Sequence, residues 1–462
     1  MKQKLLGGYK NIKKLAKELG CNVTDLLALS RNRDPFYSGG KSSREKAEWF
    51  ADIWKSECFE EGIHLRRIHY RLVSKNGSTR ANGTPYENDQ KSWAYLLEAA
   101  CHARYLGLVD AEKIVDRRNP DPFIQACAAN FPTPTYARDE ISWEVPYVSA
   151  KLQWSEDWEL PSVFPVGYKY SKNLQPYHLE IWTEKTTIND VFEPLCREFG
   201  ANLIAGAGFL SITSVIELLC RVASTKKPCR IFYVSDFDPA GSFMPFAVAR
   251  QIEFWTGFYS LECDIKLKHV ALTQEQVEKY QLPSIPIKST DTRKDTFRKK
   301  YGQDATEVDA LEANRPGELG QIVRKELEKY YDEMLSNSYK EAREEAANIA
   351  NKWKEEYLGK YEDGLRGLNE QKQIIIKKYE KELKEIQEKC GYDFNLIREQ
   401  IGVLQHAVQN EMDSAFLDIP SLPKPNVVGD EEEDLWIFDS SRDYLQQLEI
   451  YKAHMPNKLN LD

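Results

Sequence analysis

The sequence predicts an α/β fold built on a parallel sheet, with a small helical region before it and a long helical arm after it. Three observations predict this. Between His178 and Ala271 short apolar runs alternate with stretches whose apolar residues recur at helical spacing. Two of those runs stop abruptly at carboxylates, and beyond about Gly317 the composition turns to long charged helices. The expected segments are a helical N-terminal piece (1–40), a winged-helix-like domain (41–125), a connector (126–172), the sheet domain (173–320), a helical or coiled-coil arm (321–415) and an acidic tail (416–462).

Between Asn11 and Leu29 a helix, a turn at Gly20 and a second helix opened by Thr24 or Asp25 read as a small helical hairpin or a helix-turn-helix. Arg33 to Gly40 is a linker by its turn residues, and Ala47 to Phe59 resumes an amphipathic helix. His64 to Arg71 is an arginine-rich helix. Ser74 to Asn88, with Asn76-Gly77 and Asn82-Gly83, is a polar loop suited to a wing or hairpin, and Trp93 to Leu106 is a helix with Gly107 past its end. Pro120 to Pro165, rich in proline, aromatic and acidic residues, reads as the interdomain connection.

The sheet region follows. His178 to Thr183 is a short strand ending at Glu184-Lys185. Ile188, Val191, Phe192, Leu195, Cys196 and Phe199 mark the next helix, closed by Gly200. Ala201 to Ala205 is a buried strand, and Ser211 caps a helix reaching Ala223. Arg230 to Val234 is a strand that runs into Asp236-Phe237-Asp238-Pro239-Ala240-Gly241. A helix from Ser242 to about Trp255 and the alternating run Asp264 to Ala271 complete the series. An Asp-x-Asp alone is ordinary strand-to-helix punctuation. A second strand delivering Glu184 changes its meaning, because sites in parallel sheets lie beyond the carboxyl ends of the strands.

Glu184 after the first strand and Asp236/Asp238 after the third resemble the Toprim domain of topoisomerases, bacterial primases and some nucleases, and Lys185 fits as well. Ser235 to Gly241 is most similar to the Asp-Gly-Asp-Pro-Tyr-Gly segment of the topoisomerase VI A subunit and its meiotic relative that makes double-strand breaks. That family carries Arg-acid-Ile-aromatic-Tyr in a winged-helix domain, with the Tyr as DNA-cleaving nucleophile. Arg66 to Tyr70 resembles this, with Arg67 in place of the acid and His69 in place of the aromatic ring. The resemblance runs from about Asp34 to about Lys329 and includes Lys288 to Arg293 and Glu307 to Leu311. It implies that Tyr70 is a nucleophile, that the protein is a homodimer supplying tyrosine and acids from different subunits, and that strand passage needs a separate ATPase or other partner. This chain has no Gly-x-x-x-x-Gly-Lys-Ser/Thr loop of its own.

Three carboxylates brought together repel one another, which a hard cation with oxygen ligands relieves, so Mg2+ or Mn2+ is expected and zinc is not. Asp236 and Asp238 are the expected ligands, Glu184 a further ligand or the acid/base at the leaving oxygen, and Lys185 a phosphate contact. Glu307 and Asp309 read as acids at a helix start. The net charge of −9 speaks against a wholly basic nucleic-acid binder, but the first 150 residues carry net positive charge and the excess acid gathers around Asp430 to Asp434. Arg66, Arg67, Arg71, Arg117 and Arg118 are the candidate DNA contacts.

The expectation is a metal-dependent DNA endonuclease or transesterase, with phage or plasmid defence as its setting by analogy. A catalytically quiet DNA-binding or assembly subunit and an RNA-directed or primase-like enzyme are the alternatives. Nine cysteines without Cys-x-x-Cys pairing read as free thiols of a reducing cytoplasm, and no apolar run is long enough to span a bilayer. Val323 to Lys360, Asn369 to Cys390 and Phe394 to Asp413 are the expected arm helices, with alternating Glu and Lys from Tyr379 to Ile386. They lack a clean heptad, which favours a local hairpin over a coiled coil. The tail reads as a flexible acidic linker carrying an aromatic docking patch at Leu435 to Phe438 and a short helix from Tyr444 to Ala453.

Overall fold

The computed structural model describes the chain except residues 1–7, 60, 61, 76, 116–118, 146, 149–151, 154, 155, 207–210, 290, 292, 380–386, 432 and 457–462, and the side chains of 147, 148, 152, 153 and 387–392. The chain divides into two units. The first is Met1–Ala129, Gln175–Asp332 and Val427–Asp462, and the second is Asn130–Leu174 with Glu333–Asn426. Among the described residues no helix is long and apolar enough to cross a membrane.

The first unit opens with α1 (Tyr9–Leu19), closed by Gly20 in the left-handed region at φ 65°. The expected second helix is only a 3-10 turn, Val23–Leu26. Its continuation is pre-empted by Asp34, whose carboxylate accepts the Ala28 and Leu29 amides, both at 3.0 Å. Backbone donors satisfied by a side chain have no need of a helix. Asp34 is itself buried and paired with Arg250 at 3.1 Å, so the segment read as a linker is pinned to the body of the unit. Next come α2 (Lys41–Ser56), α3 (Leu65–Ser74) and α4 (Gln90–Tyr105). Between α3 and α4 the loop folds as a small hairpin, with Tyr86 N–H donating to Ser78 O and Arg80 N–H to Thr84 O. Buried Phe50, Ile68, Leu72, Leu96 and Ala100 join the three helices into one core.

The sheet contains β1 (His178–Thr183), β2 (Asn202–Ala205), β3 (Cys229–Val234), β4 (Ile265–Ala271) and β5 (Phe438–Asp439). Their spatial order is β2-β1-β3-β4-β5. The first four are parallel and β5 runs antiparallel on β4. Every residue of β1, β2 and β3 is buried, which is why these strands read as unbroken apolar runs. The crossovers use α5 (Asn189–Phe199), α6 (Ile212–Thr225, capped by Ser211) and α7 (Met244–Phe258). From β1 the chain steps outward to β2, then returns to the other side of β1 for β3. The sheet therefore reverses direction between β1 and β3, and a crevice opens at their carboxyl ends.

The tail is not a free linker. Asp430 pairs with Arg230 at 2.7 Å and with Lys266, Asp434 pairs with Lys268, and Trp436, Ile437 and Phe438 are buried. The lysines that alternate along β4 attract the acidic run, and β5 covers the otherwise open edge of the sheet. The docking patch thus finds its partner in its own chain, and the following helix spans Tyr444–His454.

In the second unit the expected connector is structural: Thr135–Arg138 pairs antiparallel with Val163–Val166. Trp143 and Trp158 share a core with Leu365, Leu368, Phe394 and Ile401 from the long helices. The arm is not continuous from Val323. Glu318–Glu328 belongs to the first unit, and Leu335–Trp353, Glu362–Tyr379 and Gln387–Ser414 are the helices of the second. Most of the Tyr379 to Ile386 repeat lies outside the described residues. All described cysteines are free, as expected; Cys196 is buried, whereas Cys220 lies on an exposed edge of α6.

Candidate functional site

Both acid-bearing strand ends flank the switch point. Glu184 and Lys185 follow β1, and Asp236 and Asp238 follow β3. Asp238 Oδ1 accepts the Ala240 and Gly241 amides at 2.8 and 2.6 Å, which fixes the turn. A Cβ on Gly241 would stand 2.2 Å from the Asp236 carbonyl oxygen, so the tightness of the turn itself requires glycine there. The Glu184 carboxylate Oε1 accepts the Asp236 amide, joining the two strand ends directly.

A third segment arrives from far along the chain. Phe237 and Thr306 exchange backbone hydrogen bonds in both directions at 2.9 Å. This carries Glu307 and Asp309, at the start of the helix Val308–Asn314, to the Asp236 turn. Asp236 Oδ1 accepts the Val308 amide at 2.8 Å, and its Oδ2 lies 3.0 Å from Lys185 Nζ. The same ammonium reaches Asp309 Oδ2 at 2.8 Å and Glu307 Oε2 at 3.2 Å. Thr187 Oγ1 donates to Asp309 Oδ1 at 2.7 Å. The sequence reading of Glu307 and Asp309 as helix-start acids was incomplete: they also surround Lys185. Their two-residue spacing repeats the Asp-x-Asp signal, but the bridge that brings them in is long-range.

The electrostatics are unbalanced. Burial, reinforced by the charges of Asp236 and Asp238, pushes the Glu184 carboxyl up to about 8. Burial also raises the Asp236 carboxyl, outweighing its contacts with the Val308 amide and Lys185. Burial alone would depress the Lys185 ammonium, but Asp309 and Asp236 hold it above its ordinary value. For Asp309, burial is outweighed by Lys185 and Thr187, and its carboxyl stays below the usual range. The locus opens into a cleft of about 690 Å³ whose walls include Lys185, Asp236, Asp238 and Glu307 together with Arg33, Lys288 and Arg293.

The donor set suits a hard cation in kind, since all the carboxylates are oxygen ligands and no histidine or cysteine stands among them. As the side chains stand, no three His, Cys, Asp or Glu among the described residues are gathered closely enough to hold an ion. The Lys185 ammonium supplies the positive charge in their midst.

Tyr70 is on the exposed face of α3, 54% accessible, and is not among the residues lining the cleft. Arg66, Arg67 and Arg71 share that face. Arg66 lies over the Trp93 ring at 5.7 Å, and Arg71 pairs with Glu57 at 2.9 Å. His69 points the other way, buried, with Nδ1 2.7 Å from the Tyr86 hydroxyl and Nε2 3.3 Å from Asn88 Oδ1. It pins the hairpin loop to α3, a polar task for which an aromatic hydrocarbon ring would not serve. Arg117 and Arg118 lie outside the described residues. No protein-family model matches the sequence, and no curated protein matches it.

Proposed function

We propose that this protein is a divalent-cation-dependent enzyme that cleaves DNA phosphodiester bonds at a Toprim-like centre, working in the cytoplasm as a homodimer whose α2–α4 region is a winged-helix-like DNA-binding element. The observation that carries the reading is the convergence of Asp236, Glu307 and Asp309 on Lys185 at the switch point of a parallel sheet, with Glu184 joined to the Asp236 amide and Asp238 lining the same cleft. A structural salt-bridge cluster has no need of acids in excess of its cations, nor of a buried carboxyl displaced to about 8.

Asp236 and Asp238 would hold Mg2+ or Mn2+, which when bound supplies positive charge to the scissile phosphate. Lys185 then exchanges its carboxylate partners for a phosphate oxygen. In the metal-free protein burial favours the protonated form of Glu184, with the proton on Oε2 because Oε1 accepts the Asp236 amide. That proton goes to the leaving oxygen as the phosphorus–oxygen bond breaks. The nucleophile is water or the hydroxyl of Tyr70 from a second copy; its oxygen forms the new bond to phosphorus and its proton passes to solvent. The exposure of Tyr70 among three arginines on an open helix face supports the second route, since an internal tyrosine could not be delivered to a partner.

The test is incubation of supercoiled plasmid with protein and Mg2+ or Mn2+, comparing wild type, Asp236→Ala and Tyr70→Phe, with detergent trapping of protein-linked ends. Nicked or linear plasmid that disappears with Asp236→Ala is expected. Linked protein lost in Tyr70→Phe selects the tyrosine, whereas unlinked cutting that survives it selects water. Absence of cutting by wild type with either metal overturns the reading.

A further inference from the structure

The cleft that holds the acids is also lined by Arg33, Lys288 and Arg293, from segments widely separated in the chain. Arg293 is held by Asp291 through both carboxylate oxygens, at 2.8 and 2.7 Å. Arg33 and Lys288 have no carboxylate partner among the described residues. The residue after Arg33 cannot neutralise it, because the Asp34 carboxylate is committed to Arg250 and to the Ala28 and Leu29 amides. Those same bonds, with Arg33 N–H donating to Ser30 O at 2.9 Å, fix the backbone from which the Arg33 side chain extends.

The arrangement is unfavourable by itself. Arg33 and Lys288 are exposed to solvent on the cleft wall and Arg293 is half-buried, and burial, then the charge of Arg293, depress the Arg33 guanidinium. An anion between the cations removes the repulsion, and phosphate matches the fork of a guanidinium.

We infer that Arg33, Lys288 and Arg293 form a phosphate clamp that holds a non-scissile phosphate of the DNA strand being cut at the neighbouring acids. The inference rests on the proposed reading of the acid centre, and it specifies a strand with several phosphates as substrate. Backbone contacts carry no sequence information, so the clamp binds DNA irrespective of base order.

The experiment measures binding of a labelled DNA duplex by fluorescence anisotropy across a salt series, in EDTA so that nothing is cut. Wild type, the double variant Arg33→Ala with Lys288→Ala, and the charge-keeping pair Arg33→Lys with Lys288→Arg are compared. Each phosphate neutralised steepens the log–log salt dependence by about 0.9, so the double alanine variant, which releases the one clamped phosphate, is expected to be shallower by about 1. The charge-keeping pair should retain the wild-type slope, and shuffling the base sequence should change nothing. An unchanged slope and affinity in the double alanine variant overturn the clamp, and plasmid cutting by wild type would then still stand for the acid centre. Binding that depends on Arg33 and Lys288 in a protein that cuts with neither metal keeps the clamp and removes the nuclease. Loss of binding in the charge-keeping pair as well would also overturn it, since charge would then not be what the wall supplies.

Discussion

Glu180 and Glu184 lie four residues apart, one inside β1 and one just past its end, and both are buried, yet their carboxyls are driven in opposite directions. Glu180 accepts from Trp182 Nε1 at 2.6 Å, from Arg221 at 2.8 and 3.0 Å and from Asn202 at 3.0 Å, and lies 2.7 Å from His178 Nε2. Burial alone would raise its carboxyl, but Arg221 and His178 outweigh that and hold it well below the usual range. Glu184 has the Asp236 amide and the adjacent Lys185, whose ammonium is occupied by Asp309 and Asp236, and two more carboxylates stand nearby. Burial of a carboxylate is therefore not a functional signal by itself. Burial left uncompensated, relieved here by a raised carboxyl, is the stronger signal, because carboxyls perturbed in this way cluster at functional sites.

The largest expected effect comes from breaking the compensated member. Glu180→Ala leaves the half-buried Arg221 and the buried His178 without their carboxylate and should cost about 3–5 kcal/mol in urea unfolding. A loss below about 1 kcal/mol would mean that the cluster is not what holds this strand.

The second effect is a pH dependence in metal-free protein. The folded value of Glu184, about 8, lies above its ordinary 4.5, so folding favours the protonated form. Its contribution is fully present below 4.5 and is lost as pH rises through 8. Wild type should lose stability across that window at up to ~1.4 kcal/mol per pH unit. Glu184→Gln should remove this slope and be the more stable protein at pH 8. Parallel curves for the two proteins would show that Glu184 ionises normally. The smallest effect is that of Thr187→Val, which removes the 2.7 Å bond to Asp309. A cost of about 1 kcal/mol or less is expected in the same unfolding assay.

Where local chemistry decides, the sequence was readable. The burial of β1, β2 and β3 dictated apolar runs, Ser211 and Gly200 bound their helices as expected, and Glu184, Asp236 and Asp238 could be assigned to strand ends. Where distant segments decide, it was not. Asp309 and Glu307 join the locus through the Phe237–Thr306 pairing, which leaves no periodic trace. The two-residue strand Phe438–Asp439 is too short to carry an alternation, and its place was set by lysines on β4 more than 160 positions away in the chain. The 3-10 turn at Val23–Leu26 likewise depends on Asp34 reaching back to amides five and six residues earlier.

The Glu184–Asp236 locus, unlike the Glu180 cluster, is expected to be completed by a cation. Calorimetric titration of Mn2+ into metal-free wild type, Asp236→Asn and Arg221→Ala tests it most directly. Saturable binding to wild type is expected, abolished in Asp236→Asn and kept in whatever fraction of Arg221→Ala remains folded. Equal binding to wild type and Asp236→Asn, or no binding to wild type, would contradict it.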